Sequence, residues 1–198
     1  VIWNQMVSSL PITSALQSWG WGQVKRLSGW LPERYAVYEN NQLIAAAQLF
    51  RRRFAGPISM LYAPRGPALG NLQDLPKVVQ ALKQRADGAV YLKLEPETGL
   101  LALQRPFEFP RMQIEETIQP EYSIWLDLRL GREGLLAQMN SMHRRNTKLA
   151  EKRVVTSIEG LQAFEEFWQL FEETNRRAKL LQHAKAYYQT VLREMNQP

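Results

Sequence analysis

The chain has 198 residues, of which 45% are apolar, with a formal net charge of +6 and no cysteine. This length suits one large domain or two small ones. The absence of cysteine excludes disulfides, thiolate nucleophiles and cysteine-ligated metal sites. No apolar run is long enough to span a bilayer, so a cytoplasmic protein is expected. The chain starts at Val1 and stops within a helical pattern at Pro198, so we expect a fragment of a longer protein.

The first half of the chain alternates between strand and helix patterns. Spacing of apolar residues predicts a helix over 16–25, strands over 32–38, 42–50 and 58–63, a helix over 72–86 and a strand over 89–94. The Asn40-Asn41 turn predicts that the first two strands form a hairpin. This order indicates an α/β (α+β) fold, a mixed sheet with flanking helices, in which an antiparallel start is followed by a crossover.

The second half of the chain is mostly helical. A connection rich in proline and charge is expected over 104–119, and a strand over 122–128. Helices are expected over 133–152, 161–177 and 185–195. One strand gives three helices little sheet to pack on, so residues 119–198 are predicted to be the start of an incomplete second domain, after a first domain at 1–118.

Glycines close to the start of the chain match a phosphate-binding pattern. Gln17-x-x-Gly20-x-Gly22 has the spacing of the loop that binds the pyrophosphate of acetyl-CoA in acyltransferases. Such a loop normally follows several strands, so a coincidental match is favoured. The neighbouring Trp19 and Trp21 are expected in the core rather than as a stacking platform.

Two short segments near the middle of the first half are candidates for a substrate cleft. Arg65 lies in a rigid turn between two prolines, where its planar guanidinium suits a phosphate or a carboxylate. Alternation along the following strand places Tyr91, Lys93 and Glu95 on one face. A polar row of this kind indicates either a cleft or an exposed sheet face.

The second half carries a basic helix and an aromatic pair. Residues 143–153 contain five cations and one carboxylate, a density that suits RNA phosphates or a solvated helix face. The candidate contacts are Arg144, Arg145, Lys148 and Lys152. His183 and Tyr187 are four residues apart and share a helix face, where they can bind an anion or pack inward. No nucleophile-base pair and no metal-binding cluster is apparent.

Taken in order, these segments resemble the FemABX peptidyltransferases, and the match covers nearly the whole chain. The ordered set carries the resemblance: Leu16-Gln17-Ser18 leading to Lys25, Gly29-Trp30, the Tyr62–Pro67 turn, Glu95-Pro96, Trp125-Leu126-Asp127, the basic helix and His183 followed by Tyr187-Tyr188. The family implies two acetyltransferase-like (GNAT) domains. It also implies transfer of amino acids from aminoacyl-tRNA, as co-substrate, to the stem peptide of a peptidoglycan precursor.

The resemblance also implies particular roles for residues. Lys25 matches a lysine that contacts the phosphates of the precursor, Tyr91 a tyrosine of the substrate cleft, and Tyr187 the first tyrosine of the family's Tyr-Tyr pair. His183 falls where relatives carry an arginine, so Lys185 is expected to compensate. No bound cofactor is implied, and the catalytic residues are not identified.

The partners implied by the resemblance are a nucleotide- or lipid-linked muramyl pentapeptide, aminoacyl-tRNA and the inner face of the membrane. Two alternatives stay open at this point. One is an ordinary acetyl-CoA-dependent acetyltransferase, and the other is a non-enzymatic RNA-binding module. The fragment by itself is expected to be inactive.

Overall fold

A computed structural model describes residues 2–54, 56–98, 116–120, 122–153 and 160–196. The first half contains helices α1 (Ile2–Ser8), α2 (Trp19–Arg26) and α3 (Leu75–Gln84), with strands β1 (Leu31–Glu39), β2 (Gln42–Arg53), β3 (Ser59–Ala63), β4 (Ala68–Leu69) and β5 (Ala89–Leu94). The second half contains α4 (Gly131–Gln138), α5 (Ser141–Arg153), α6 (Phe164–Ala178) and α7 (Lys185–Met195).

The strands form one mixed sheet in the order β1-β2-β3-β5, with the short β4 pairing with β2. β1 to β3 are antiparallel, and β5 returns parallel to β3 after the crossover through α3. Asn40 and Asn41 both adopt positive φ in the hairpin turn, a conformation that asparagine tolerates. The predicted mixed α/β fold, with its antiparallel start and its crossover, is confirmed.

The two faces of the sheet are covered differently. Helix α3 packs on one face, where its apolar side chains meet alternate residues of the strands, including Leu49 and Leu61. Helix α1 packs on the other face, with Trp3 and Val7 against Ala46. Because side chains alternate along a strand, Gln48, Arg52, Tyr62, Tyr91 and Lys93 lie on this second face. We call it the α1 face.

The chain enters α2 through a buried glutamine. Gln17 is fully buried, and its amide nitrogen donates to the carbonyl oxygens of Gln48 (3.3 Å) and Pro64 (2.9 Å). Its amide oxygen accepts from the backbone nitrogen of Gln48 at 2.7 Å. The predicted helix over 16–25 is therefore divided into a 3-10 turn at Ala15–Gln17 and α2, which begins after Ser18 caps it.

The prediction of a strand over 122–128 is wrong. Residues 122–127 have no strand assignment, and a 3-10 turn follows at Leu128–Leu130. The side chains of Ile124 and Trp125 are 89% and 74% exposed. A strand needs a neighbour to pair its backbone groups, and in the described parts of the chain these residues have no ladder partner.

The prediction of one helix over 133–152 is also wrong. Met139 has extended backbone angles and ends α4, after which Asn140 accepts a hydrogen bond from the backbone nitrogen of His143 at 2.8 Å. This is a side-chain cap for the start of α5. The later helices agree with prediction, since α6 follows a 3-10 turn at Leu161–Ala163 and α7 spans Lys185–Met195.

Helix α7 packs on α2 of the first half, an arrangement that the sequence did not predict. The hydroxyl of Ser18 lies 3.8 Å from the sulfur of Met195. The backbone of Glu194 lies directly over Gly20, with no room for a side chain there. The elements that carry Lys25 and Tyr187 are therefore in contact.

Candidate functional site

Two cations meet around one indole at the end of α2. The ammonium of Lys25 lies 5.9 Å from the ring centres of both Trp21 and Trp30, and the guanidinium of Arg52 lies 5.3 Å from the Trp30 ring. These are cation–π distances. Trp30 therefore holds two like charges next to each other on the α1 face.

This pair of cations lacks a compensating anion among the residues that the structure describes. In the described ranges, no ion pair is formed by Lys25 or Arg52. Burial lowers the pKa of the Lys25 ammonium, and the charge of Arg52 lowers it further. A partly buried cation next to another cation is destabilised in its charged form, and an anion that binds between or beside them stabilises it. The local electrostatics thus favour a phosphate or carboxylate here.

A polar network continues from Trp30 along the α1 face. The rings of Trp30 and Tyr62 are 6.3 Å apart, and the Tyr62 hydroxyl donates to the carboxylate of Glu95 at 2.6 Å. Burial, followed by this hydrogen bond, raises the pKa of Tyr62. The ammonium of Lys93 lies 3.8 Å from the same carboxylate. The cation pair and the strand end are therefore joined by one network of contacts, whose members Tyr62 and Glu95 are buried.

The predicted row on β5 has the predicted orientation. In the ladder, Tyr91 lies opposite Met60 and Lys93 opposite Tyr62. Tyr91 is 38% exposed, whereas Glu95 is only 9% exposed. The row therefore runs from the surface at Tyr91 to a buried carboxylate at Glu95, and Lys25 shares its sheet face.

Arg65 adopts positive φ in the turn after β3, next to Gly66. Its guanidinium forms an ion pair with Glu97 at 3.3 Å and donates to the carbonyl oxygen of Pro120. Its predicted role in binding a substrate phosphate or carboxylate stays a prediction. The donors that the structure describes are directed at the protein itself.

The predicted aromatic pair lies at the start of α7. The rings of His183 and Tyr187 stack with their centres 4.1 Å apart. Burial, followed by the nearby Tyr188, raises the pKa of Tyr187. Lys185 forms an ion pair with Glu165 at 2.5 Å and lies over the Phe164 ring. A substrate phosphate would therefore have to compete with Glu165 for Lys185.

The basic helix α5 has two kinds of cation. Arg144 donates to the carbonyl oxygens of Ala137 (3.1 Å) and Met139 (2.6 Å), so it satisfies the end of α4. Arg145, Lys148 and Lys152 are exposed along one side of α5. Arg145, Lys148 and Lys152 are thus the predicted RNA contacts that point to solvent.

The glycines of the CoA-like pattern lie inside a helix. Gly20 and Gly22 belong to α2, and a Cβ on Gly22 would lie 2.3 Å from the guanidinium of Arg34 and 2.5 Å from the side-chain oxygen of Gln48. The space next to these glycines is filled by protein, so the pattern is a coincidence. The expectation that both tryptophans are core is wrong, because Trp19 is 38% exposed and stacks on Arg34 at 3.7 Å.

Sequence reasoning missed Arg52, Trp30 and Tyr62 as members of this site. Arg52 belongs to a run of three arginines, and its alternation with Arg51 and Arg53 was the available signal. Within the described residues, no group of His, Asp or Glu could hold a metal ion. Nor does any described helix have the length and apolarity needed to cross a membrane.

The FemAB family model matches the chain twice, over residues 3–106 and 102–197. The chain belongs to the FemAB family. A lipid II:glycine glycyltransferase of Staphylococcus aureus (strain MRSA252) is 26% identical over 208 residues, which cover 95% of this chain and 49% of that protein. The counterpart from strain USA300 gives the same identity and coverage.

The fold of this FemAB chain is shared with a solved relative. A crystal structure of FemX superposes with a TM-score of 0.75 at 22% sequence identity, covering 98% of this chain and 52% of that one. The chain spans about half the length of the relatives that it matches. Membership of the FemABX group and the mixed GNAT-like fold predicted from sequence are confirmed.

Proposed function

We propose that this chain is part of an aminoacyltransferase that adds amino acids from aminoacyl-tRNA to the stem peptide of a peptidoglycan precursor. Family membership supports the class of reaction. The observation that carries the proposal to this chain is the cation pair of Lys25 and Arg52 around Trp30, which lacks an anionic partner in the described residues. The pyrophosphate of a muramyl-peptide precursor is an anion of suitable charge.

The sheet face next to the cation pair suits the rest of the acceptor. Trp30 lies near the buried ring of Tyr62, on the sheet face where Tyr91 of β5 is partly exposed. We place the sugar and the stem peptide beside Trp30 and Tyr91, because Tyr62, Lys93 and Glu95 already contact residues 116–120. With the pyrophosphate anchored, the acceptor amine would be held for attack on the aminoacyl ester, and orientation would supply much of the rate.

The donor is proposed to contact α5. Arg145, Lys148 and Lys152 are exposed along one side of α5 and can pair with RNA phosphates. Arg144 is excluded from this set, because its guanidinium caps α4. The tyrosine pair at the start of α7 is proposed to approach the acceptor, because α7 packs on the helix that carries Lys25.

Two forms of acceptor follow from the proposal. The staphylococcal relatives are named for lipid II and glycine, so the lipid-linked precursor and glycyl-tRNA are the first pair to test. The net charge of +6 suits approach to an anionic membrane face. The CoA-dependent alternative loses its main support, since Gly20 and Gly22 pack inside a helix.

The test is a transfer assay with the full-length protein that contains this chain. Radiolabelled glycyl-tRNA is supplied with lipid II or with the nucleotide-linked muramyl pentapeptide. We expect label in the stem peptide, and Lys25→Ala should raise the acceptor KM about 10- to 100-fold, the effect of losing a charge-assisted contact. Lys77→Ala, which removes a surface ion pair between Lys77 of α3 and Glu39 of β1, is the control. Transfer of an acetyl group from acetyl-CoA, with none from tRNA, would overturn the proposal.

A further inference from the structure

Residues 116–120, at the end of the connection between the two halves, are hydrogen-bonded to side chains at one edge of the sheet. Residues 116–120 cross the ends of β3 and β5, and four side chains of the first half contact them. We call this set the clamp; its members are Tyr62, Arg65, Lys93 and Glu95. Each of them comes from the end of a strand or from the turn that follows it.

Contacts of the clamp are distributed along the segment that it holds. Lys93 donates to the carbonyl oxygen of Glu116 at 2.5 Å, and the backbone nitrogen of Ile118 donates to Glu95 at 2.6 Å. One position further, the side-chain amide of Gln119 donates to the Tyr62 hydroxyl at 3.1 Å. Arg65 donates to the carbonyl oxygen of Pro120. A segment without helix or strand thus has four of its polar groups paired with side chains of the first half.

Glu95 is the centre of the clamp. Its side chain is 7% exposed, and each carboxylate oxygen accepts a short hydrogen bond, Oε2 from Tyr62 and Oε1 from Ile118. Its own backbone nitrogen donates to the carbonyl oxygens of Ala63 and Gly66, which fixes it to the turn after β3. A carboxylate suits this position because both of its oxygens accept and it carries a charge, whereas an amide has only one accepting oxygen for the two donors.

We infer that Glu95 is a positioning residue that locks the start of the second half of the chain onto the sheet that carries the anion site. The second family match begins before residues 116–120, and the first contains the sheet. Tyr62 links the anion site to residues 116–120. Its hydroxyl donates a hydrogen bond to Glu95, and the centre of its ring lies 6.3 Å from that of Trp30. The clamp thereby fixes the distance between the Lys25–Arg52 pair and the segment that leads into the second half.

The functional consequence rests on the proposed function, but the lock itself does not. If the clamp opens, the acceptor site and the second half move independently, and the acceptor amine is no longer presented in one geometry. A positioning defect of this kind lowers kcat more than it raises the acceptor KM, since Lys25 and Arg52 remain in place.

The experiment compares Glu95→Gln with Glu33→Gln in the full-length protein. Glu33 is a matched control, because like Glu95 it forms an ion pair with a cation of the sheet, in its case Arg51 at 2.5 Å, but on the opposite face and away from residues 116–120. Hydrogen exchange followed by mass spectrometry reports the amide of Ile118 directly. We expect Glu95→Gln to speed exchange of this amide about ten-fold or more, and Glu33→Gln to leave it unchanged.

A second variant keeps the test decisive if Glu95→Gln folds poorly. Tyr62→Phe removes one donor to the carboxylate and the acceptor for Gln119, with little change in shape. It should speed exchange over 116–120 by a smaller factor and lower kcat with little change in acceptor KM. The inference that Glu95 locks residues 116–120 would be overturned by either of two results. One is an exchange rate over 116–120 that matches wild type in both variants, and the other is an increase no larger than that caused by Glu33→Gln. Absence of any transfer by wild type would count against the proposed function alone, because exchange is read without substrate.

Discussion

The carbonyl oxygen of Glu194 in α7 lies over Gly20 in α2, so closely that a Cβ on Gly20 would be 2.4 Å from it. The obstructing atom belongs to the backbone, so it cannot turn aside as a flexible side chain would. The sulfur of Met195 adds a contact with Ser18 at 3.8 Å. The helix that carries Lys25 and the helix that carries Tyr187 are therefore held together by a contact that only glycine allows.

We expect Gly20→Ala to lower the free energy of unfolding by about 1–2 kcal/mol. Overpacking costs roughly 1–3 kcal/mol, and an obstruction by backbone belongs to the upper part of this range, so the cost exceeds the gain of about 1 kcal/mol in helix propensity. Urea denaturation measures the difference. Gln23→Ala, a half-exposed position of the same helix, is the control and should not destabilise. Unchanged or increased stability of Gly20→Ala would show that α7 does not pack on α2 at this distance.

Anion binding at Lys25 should weaken at alkaline pH. Burial, followed by the charge of Arg52, holds the pKa of Lys25 below its usual 10.5. Only the ammonium attracts an anion, so affinity is constant below the lowered pKa and falls as pH rises through it. Calorimetric titration with inorganic pyrophosphate, from neutral pH toward 10.5, measures this fall. Lys25→Arg should keep the affinity at higher pH, and a fall that is identical in this variant would contradict the assignment.

The same pKa shift has a consequence for stability. The charged form of Lys25 is less stable in the folded protein than in the unfolded chain. Below the lowered pKa, the Lys25 ammonium therefore reduces the free energy of unfolding. This penalty disappears as pH rises through the window between the lowered pKa and 10.5. Arg52→Gln should bring the pKa of Lys25 closer to 10.5 and so narrow this pH window, because it removes the charge of Arg52, the second cause of the pKa shift.

Arg52 and Arg53 form a natural pair of matched variants. They are neighbours with the same charge on β2, but alternation places only Arg52 on the face of Trp30, at 5.3 Å. We expect Arg52→Gln to weaken binding of the nucleotide-linked muramyl pentapeptide about five- to ten-fold, since the contact is partly exposed. Arg53→Gln should change it less than two-fold by the same reasoning. Equal losses measured by calorimetry would mean that only net charge matters.

Gln17 should be among the least replaceable polar residues of the first half. Gln17→Leu removes hydrogen bonds to Gln48 and Pro64 and leaves their buried backbone groups without partners. We expect a loss of about 2–4 kcal/mol in the free energy of unfolding. Gln73→Leu, at an exposed position, should stay within about 0.5 kcal/mol. Chemical denaturation of both variants decides whether the buried amide holds α2 on the sheet.

Neighbouring arginines of α5 are predicted to have different effects. Arg144→Ala removes the cap of α4 and should cost about 1 kcal/mol of stability. Arg145→Ala should leave thermal stability unchanged and weaken tRNA binding. It should also reduce the slope of log affinity against log salt by about 0.7–0.9, the effect of one lost phosphate contact. If Arg144→Ala changed the salt slope by as much, its guanidinium would be binding RNA instead.

Local patterns in the sequence determined most of the elements. Apolar spacing located α3, α6, α7 and the strands of the hairpin, because one buried face imposes a period on a helix or strand. The pattern failed over 122–128, where alternation was present but a pairing partner was not described. It also failed at Asn140, a capping residue inside an apparently continuous helical pattern. The short α1 and β4 were not predicted.

The candidate site was predicted only in part. Lys25 and the row from Tyr91 to Glu95 could be named from sequence, because a motif and a strand alternation are both local. The proximity of Arg52 and Lys25 at Trp30 depends on how β2 and α2 pack, which the sequence does not show. The ion pair between Lys185 and Glu165 likewise depends on the packing of two helices. The clamp could not be predicted, since it joins Tyr62, Glu95 and Ile118 across a long stretch of chain.

The sequence by itself determined the class of fold, the family and the chemical character of the cleft, since composition, periodicity and motif order are properties of the chain alone. Tertiary structure decided which charges are compensated and which are not. Arg65, Arg144 and Lys185 found partners within the protein, whereas the described surroundings of Lys25 and Arg52 provide none. The reason is physical: the free energy of a charge depends on its neighbours in space and its exposure to water, and folding sets both.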